Sequence, residues 1–438
     1  MCRSFILLVF TLLVSSAALA QTQENSPYSR FGLGNFADPF FAAQGSMGGW
    51  TAGFTDPYLL NFNNPASLAS LQATTFDVGM YGKFTNLRDA NNSIDQWGGN
   101  LNYFGLAFPI KNPLNDFLSR KQRKFFWGAG LRLAPFTNVS YNIGTSEFQD
   151  NLGKVSRVYN GNGGTYQLQI GNGFKYNDFS LGVNLGWWFG RLRKNQSVFL
   201  DEFTNSFYDR IEESQTIGGF LWNVGAQYTI WLQKPVETEV KKVKRYITLG
   251  LTGNNQTGYN TELDRLHLII NPTTEVLDTV SFIGGETLRG RLPGTVTIGA
   301  AYNDEGKIRA GLDLNLTSWN QFNNPVDAQV VNNTWSVNAG LEYIPDITSI
   351  SRFLKRVRYR AGVRIGTDPR VFGEQLKTFE VNAGFGLPFV VSREISFMHI
   401  GFTYGSIYGN IPLKENYFRI NLGFSFVDNT WFVKRRFY

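Results

Sequence analysis

One cysteine, Cys2, and two histidines, His267 and His399, are all that 438 residues hold of those types. Cys2 sits in a leader that should be removed, so the mature chain has no thiol and cannot build a disulfide framework or a thiolate metal site. His267 with Asp264 does not have the spacing of metal ligands, and no metal or cofactor is expected. No G-x-S-x-G turn is present, and Gly161-Asn162-Gly163-Gly164 lacks the Lys and Ser/Thr of a phosphate loop, so no catalytic residue is expected. Dense blocks of Lys and Arg are missing too. Without Arg3 the chain carries 40 basic against 34 acidic residues, a mild net charge of +6. Its nearest approach to a basic block, Lys241, Lys242, Lys244 and Arg245, reads as a solvated turn, so nucleic acid is excluded as a partner. Finally, no apolar run reaches the roughly 18 to 20 residues of a membrane-spanning helix.

The opening twenty residues have one charge at Arg3, an apolar run from Phe5 to Val14 and the small-residue ending Ala18-Leu19-Ala20. These are the three regions of a secretory signal peptide, which makes 1–20 a leader and Gln21 the first mature residue.

What the chain does have is strict alternation. In 416–427, Phe418, Ile420, Leu422, Phe424 and Phe426 fall on one side of an extended strand, whereas on a helix they would scatter around every face. Ile308 to Leu316 repeats the pattern with Arg309, Gly311, Asp313 and Asn315 between the apolar residues. Val357 to Ile365 repeats it with Arg358, Arg360, Gly362 and Arg364 between. Runs of about ten such residues, aromatic near their ends and behind a leader, predict an all-β fold: a transmembrane antiparallel β-barrel in the outer membrane of a Gram-negative bacterium. The 46 glycines, 38 phenylalanines, 19 tyrosines and 10 tryptophans agree, because lipid-facing and lumen-facing residues alternate.

Counting back from 416–427, long outer loops and short inner turns must alternate. The outer loops are expected at 405–415, 367–376, 318–333, 258–291, 191–215, 147–163 and 86–98. Inner turns are expected at 391–395, 344–355, 303–306, 233–243, 177–178 and 110–124. This gives fourteen strands over 75–427, or sixteen if 125–148 is two strands instead of one bent at Pro135. Fourteen strands enclose more space than their own side chains fill. The preceding 21–74 is rich in Gly, Pro, Asn and Ser, yet carries Phe31, Phe36, Phe40, Phe41, Trp50 and Phe54, and is expected to plug the lumen. A tail, 428–438, is expected in the periplasm.

Within that segment, Ala43-Gln44-Gly45-Ser46-Met47-Gly48-Gly49, followed by Asn63-Asn64-Pro65-Ala66-Ser67, resembles the amino-terminal signature of the FadL/TodX superfamily of outer-membrane transporters. Leu292 to Gly299 is also similar to the family, and Ser26 to Gly34 resembles a subgroup of it. The resemblance implies a fourteen-stranded barrel with a hatch, passive uptake of small hydrophobic or amphipathic compounds, and a gating role for Asn64, Pro65 and Ala66 with Gly48 and Gly49. A relative in the superfamily looks like a shuttle for secreted proteins. That suggests the alternative of a barrel that anchors or shuttles periplasmic or secreted protein partners, through 191–215, 258–291 and the tail. Two features depart from the family: the tail itself, and a polar lumen. Arg309, Arg358, Arg360, Arg364 and Arg419 should point inward beside Asp313, Glu342 and Glu380 as a structural charge network.

Overall fold

The computed structural model describes residues 25–431 except 90–91, 119–122, 151–152, 203–206, 234–243, 272–276, 305, 328, 392–393 and 410–413. The leader and residues 432–438 of the expected tail lie outside the described residues, as do Lys241 and Lys242.

The chain forms one closed antiparallel barrel of fourteen strands. They are β1 Thr74–Arg88, β2 Ser93–Pro109, β3 Phe125–Gln149, β4 Gly153–Tyr176, β5 Phe179–Leu200 and β6 Tyr208–Gln233. β7 is Arg245–Asn254 continued by Thr257–Ile270, both parts pairing with β6. β8 is Leu277–Leu292 continued by Thr295–Asp304, both parts pairing with β7. β9 Ile308–Thr317, β10 Thr334–Tyr343, β11 Arg358–Phe372, β12 Glu374–Val391, β13 Glu394–Tyr408 and β14 Lys414–Asp428 complete the wall. The barrel closes where β14 pairs with β1, from Asp428 opposite Thr74 to Lys414 opposite Arg88. This seam pairs the facing edges of β14 and β1 along their full length, sparing amides that would be costly unpaired in hydrocarbon.

The expected alternation sorts the two faces. Leu312 is 55% exposed and Leu314 40%, while Asp313 between them is 1% exposed, so the apolar set faces lipid and the polar set the lumen. Exposed aromatics gather at two levels. Trp127, Tyr176, Phe179 and Tyr228 lie at the inner end, and Trp97, Tyr166, Trp187 and Trp335 at the outer end. These are the girdles of a membrane barrel. Pro135 does bend β3, with a register shift between Pro135 and Thr137, but the strand continues. The count is therefore fourteen and not sixteen.

The outer segments differ from expectation. Residues 191–215 and 258–291 are not loops: β5 runs to Leu200, β6 starts at Tyr208, and β7 and β8 pair from Gly258–Arg291 up to Ile270–Leu277. Much of 147–163 and 86–98 is strand as well. β3 is 25 residues long and β6 26, against 10 each for β9 and β10. At about 3.3 Å per residue, β3 to β8 rise far above the bilayer as a curved sheet. Its concave face holds a small core of Val139, Tyr141, Trp188, Leu192, Ile217 and Tyr259.

The wall has one lateral gap. β2 and β3 pair only from Phe104–Leu133 to Pro109–Gly128, at their inner ends. Above this the bend at Pro135 carries β3 away, and its vacated edge pairs with Asn35–Phe36 of the amino-terminal segment.

Candidate functional site

Residues 25–73 run down the lumen from the outer to the inner mouth. At the top, Ser26 donates through its amide to Ser140 O (2.9 Å) and through Oγ to Glu415 (3.0 Å). A short 3-10 turn follows at Pro27–Arg30, then a helical turn at Ala42–Gly45 and a second 3-10 turn at Pro65–Ser70, beside the start of β1. Met47, Trp50, Phe54, Leu60 and Phe62 are at most 1% exposed. So many large apolar groups in a segment without regular structure require a lining to bury them, and the barrel wall supplies it.

The wall is cut to fit. Gly128, Gly173, Gly182 and Gly225 stand directly opposite one another across β3 to β6. A methyl group at Gly182 would lie 2.3 Å from Pro65 C, and one at Gly225 would lie 2.0 Å from Asn64 Oδ1. Gly311, Gly340 and Gly362 form a second row across β9 to β11. There Gly311 leaves room for the Trp50 ring and Gly340 for Met47 O, each 2.0–2.2 Å from where a Cβ would stand. Segment backbone therefore meets wall backbone on both sides of the lumen.

Charge pairs lock the fit. Asp56 receives Arg309 and Arg358, each at 3.0 Å. Asp38 receives Arg364 at 2.8 Å and also Arg419. Glu342 pairs with Arg360 at 2.8 Å and with Arg309 at 3.4 Å, and Glu380 with Arg364 at 2.5 Å. Asp313 differs from the expected pairing across strands. It meets no arginine among the described residues and accepts the amides of Thr51 (2.5 Å) and Ala52 (2.9 Å). The reason is position: Asp313 faces the descending segment backbone, whose free amides it satisfies.

Of the residues singled out from the Asn-Pro-Ala motif, Asn64 is fully buried. Its Nδ2 donates to Ala52 O at 2.7 Å, and its Oδ1 caps the 3-10 turn by accepting Ala66 N at 3.2 Å. Pro65 occupies the first position of that turn, where its missing amide costs nothing. Gly48 and Gly49 have φ of 75° and 76°, a left-handed pair that turns the chain against β10 and β11. Sequence reading missed Asp38 and Asp56, because an aperiodic segment gives no face on which to place an acid. It also missed Arg132, 2% exposed, which donates to Pro39 O at 2.8 Å but keeps Nε without a partner. His399 faces the lumen, buried between Arg360 and Ser425 at 2.9 Å each. His267 lies in β7, on Asp209.

The BamG family model matches residues 1–438, the whole chain. The chain belongs to the BamG family. No curated protein matches it. Among solved structures, the Pseudomonas putida toluene transporter TodX is similar at 14% identity and a TM-score of 0.52, with 89% of this chain and 98% of that one covered. A Pseudomonas aeruginosa FadL homologue is similar at 12% identity and a TM-score of 0.52, with 90% and 99% covered. The Ralstonia pickettii toluene transporter TbuX is similar at 11% identity and a TM-score of 0.50, with 89% and 98% covered. This BamG family member thus has the FadL/TodX fold over nearly its full length and is a barrel of the Gram-negative outer membrane. Two of these three structures, TodX and TbuX, are described as toluene transporters.

Proposed function

We propose that the protein is a sealed barrel that anchors partner proteins at the outer membrane. The observation that carries this reading is the backbone-to-backbone seat of residues 25–73. Two glycine rows and the Asp38 and Asp56 clamps leave the segment no clearance to swing aside. Breaking a buried ion pair costs about 3–5 kcal/mol, and two such clamps make an open state scarce. A barrel closed in this way spends its size on something other than conduction. The tall wall of β3 to β8, built as ordered sheet beyond the lipid, is the surface it offers. The tail and the inner turns are further candidates for a periplasmic or secreted partner. Purification from native outer membrane under gentle conditions, with mass spectrometry of the product, tests this. A stoichiometric protein partner is expected, and it should be lost when residues 193–214 are replaced by a short turn although the barrel still assembles. A stoichiometric apolar ligand without a partner would overturn the reading.

A second reading, passive uptake of a small hydrophobic or amphipathic compound, is favoured by one feature. Beside the segment, between it and the wall, lies a cavity of about 420 Å3, lined by Phe36, Phe62, Phe136 and Trp222 with Arg132 at its wall. A second cavity of about 240 Å3 sits at the gap between β2 and β3, beside Asn100, Asn102, Pro135 and Asn138. In this reading Asn64, Pro65 and Ala66 with Gly48 and Gly49 form the hatch. Replacing Asn64 and Pro65 with alanine should then lower uptake without lowering barrel assembly, and unchanged uptake removes the gating role.

A further inference from the structure

On the concave face of the tall wall, above the lipid, a cup of about 280 Å3 opens outward. Its floor is Arg30, from the 3-10 turn at Pro27–Arg30, and its sides are Tyr141, Tyr159, Gln196, Glu213 and Arg265 from β3 to β7. The two acids at the cup are already engaged. Glu213 takes Arg265 at 2.7 Å, and Asp327 takes Lys194 at 3.1 Å and the Gly32 amide at 2.9 Å. Arg30 alone of the three cations meets no carboxylate among the described residues, and its guanidinium lies on the Tyr159 ring at 3.6 Å.

The position of Arg30 is fixed. Ser29 Oγ lies 2.7 Å from Ser26 O and 2.9 Å from Ser140 O, sharing its one proton between them, and accepts the Ser140 amide at 3.1 Å, while Arg370 holds Tyr28 O at 3.1 Å. Stacking on Tyr159 leaves the guanidinium edge, with its forked donors, free to take a carboxylate in the bidentate manner. Two residues from Glu213 on the same face of β6, Gln215 is 1% exposed with both ends of its amide unpartnered. A sugar would need an open aromatic face, but Arg30 covers that of Tyr159. The amides of Asn195 and Gln196 and the apolar Ile211 suit a polypeptide main chain instead.

We propose that this cup receives an acidic side chain of an extended segment of a surface-exposed partner protein, its carboxylate held by Arg30. The proposal rests on the anchoring reading and specifies the chemistry of one partner contact.

The test uses the full chain in detergent and a labelled peptide, acetyl-Glu-Gly-Glu-Gly-Glu, with its Gln counterpart and an oligogalacturonate as the other probes. Saturable, salt-sensitive binding of the Glu peptide is expected, weakened tenfold or more by Arg30→Gln. Gln196→Glu, which supplies an internal carboxylate without touching the Arg30 turn, should weaken it as much. Binding to both variants as tight as to the wild-type protein, equal binding of the Gln peptide, or binding of the oligogalacturonate alone overturns the cup. Native purification separates the two levels. A partner kept at wild-type stoichiometry by both variants overturns the cup and leaves the anchor standing, whereas no partner on the wild-type protein overturns both.

Discussion

The two halves of the barrel wall hold the same segment by different means. β9 to β14, the short side, grip it with charge: Arg309, Arg358, Arg364 and Arg419 reach Asp56 and Asp38, and Asp313 takes two of its amides. β3 to β6, on the tall side, form no ion pair with it among the described residues: they use the glycine row, Asn184 donating to Phe62 O at 2.6 Å, Gln227 donating to Ala52 O at 2.8 Å, and Arg132 and Lys194, which meet its carbonyls at Pro39 and Gly32. Charge is strong but tolerates small displacements, while backbone contact through glycine tolerates none. The difference teaches that glycine contact, present on both sides, sets where the segment sits, and that the ion pairs of the short side add to how firmly it is held there.

Breaking the contact side should have the largest effect. At Gly128, in the row on β3, a Cβ would lie 1.9 Å from Leu68 O, so Gly128→Val should abolish the heat-modifiable, folded barrel on gels. Gly144→Ala, with nothing within 4 Å, should assemble as wild type, and its failure would mean that glycine matters here for flexibility and not for room.

Breaking the charge side should come next. Asp56→Ala leaves Arg309 and Arg358 only their longer contacts to Glu342, at 3.4 and 3.7 Å, and should cost about 3 kcal/mol, the low end for a broken buried pair, read from the urea midpoint in liposomes. The barrel should still assemble. Asn64→Ala loses a cap and a buried amide contact, for about 1–2 kcal/mol by the same measurement. At the inner rim, Arg245 is about half exposed and pairs with Asp304 at 3.2 Å, so Arg245→Ala should shift the midpoint by less than about 1 kcal/mol.

The membrane-level wall was legible because lipid writes a period of two into the sequence. Phe418 to Phe426, Ile308 to Leu316 and the turn at Asn177-Asp178 could be placed from it. The upper strands could not. Above the bilayer, Arg191-Leu192-Arg193-Lys194-Asn195-Gln196 has Leu192 as its one apolar residue, so the contrast that marks a strand is gone and the stretch reads as a loop. The inward arginines were legible by parity, but their acids on the segment were not, since Asp38 and Asp56 belong to no repeating pattern. The glycine rows were visible only as single residues. Their alignment across strands depends on register, which one strand's sequence does not contain.

The direction of the segment bears on how the molecule is made. Its first described residues are tied at the outer mouth and its last lead into β1 at the inner mouth, while the closing seam joins β14 to that same β1. A segment that touches glycine backbone on both sides cannot be pushed into a finished cylinder. Shape therefore favours a wall that wraps around the segment over one that is threaded afterwards, so that the seam of β14 on β1 closes over a cargo that is part of the same molecule.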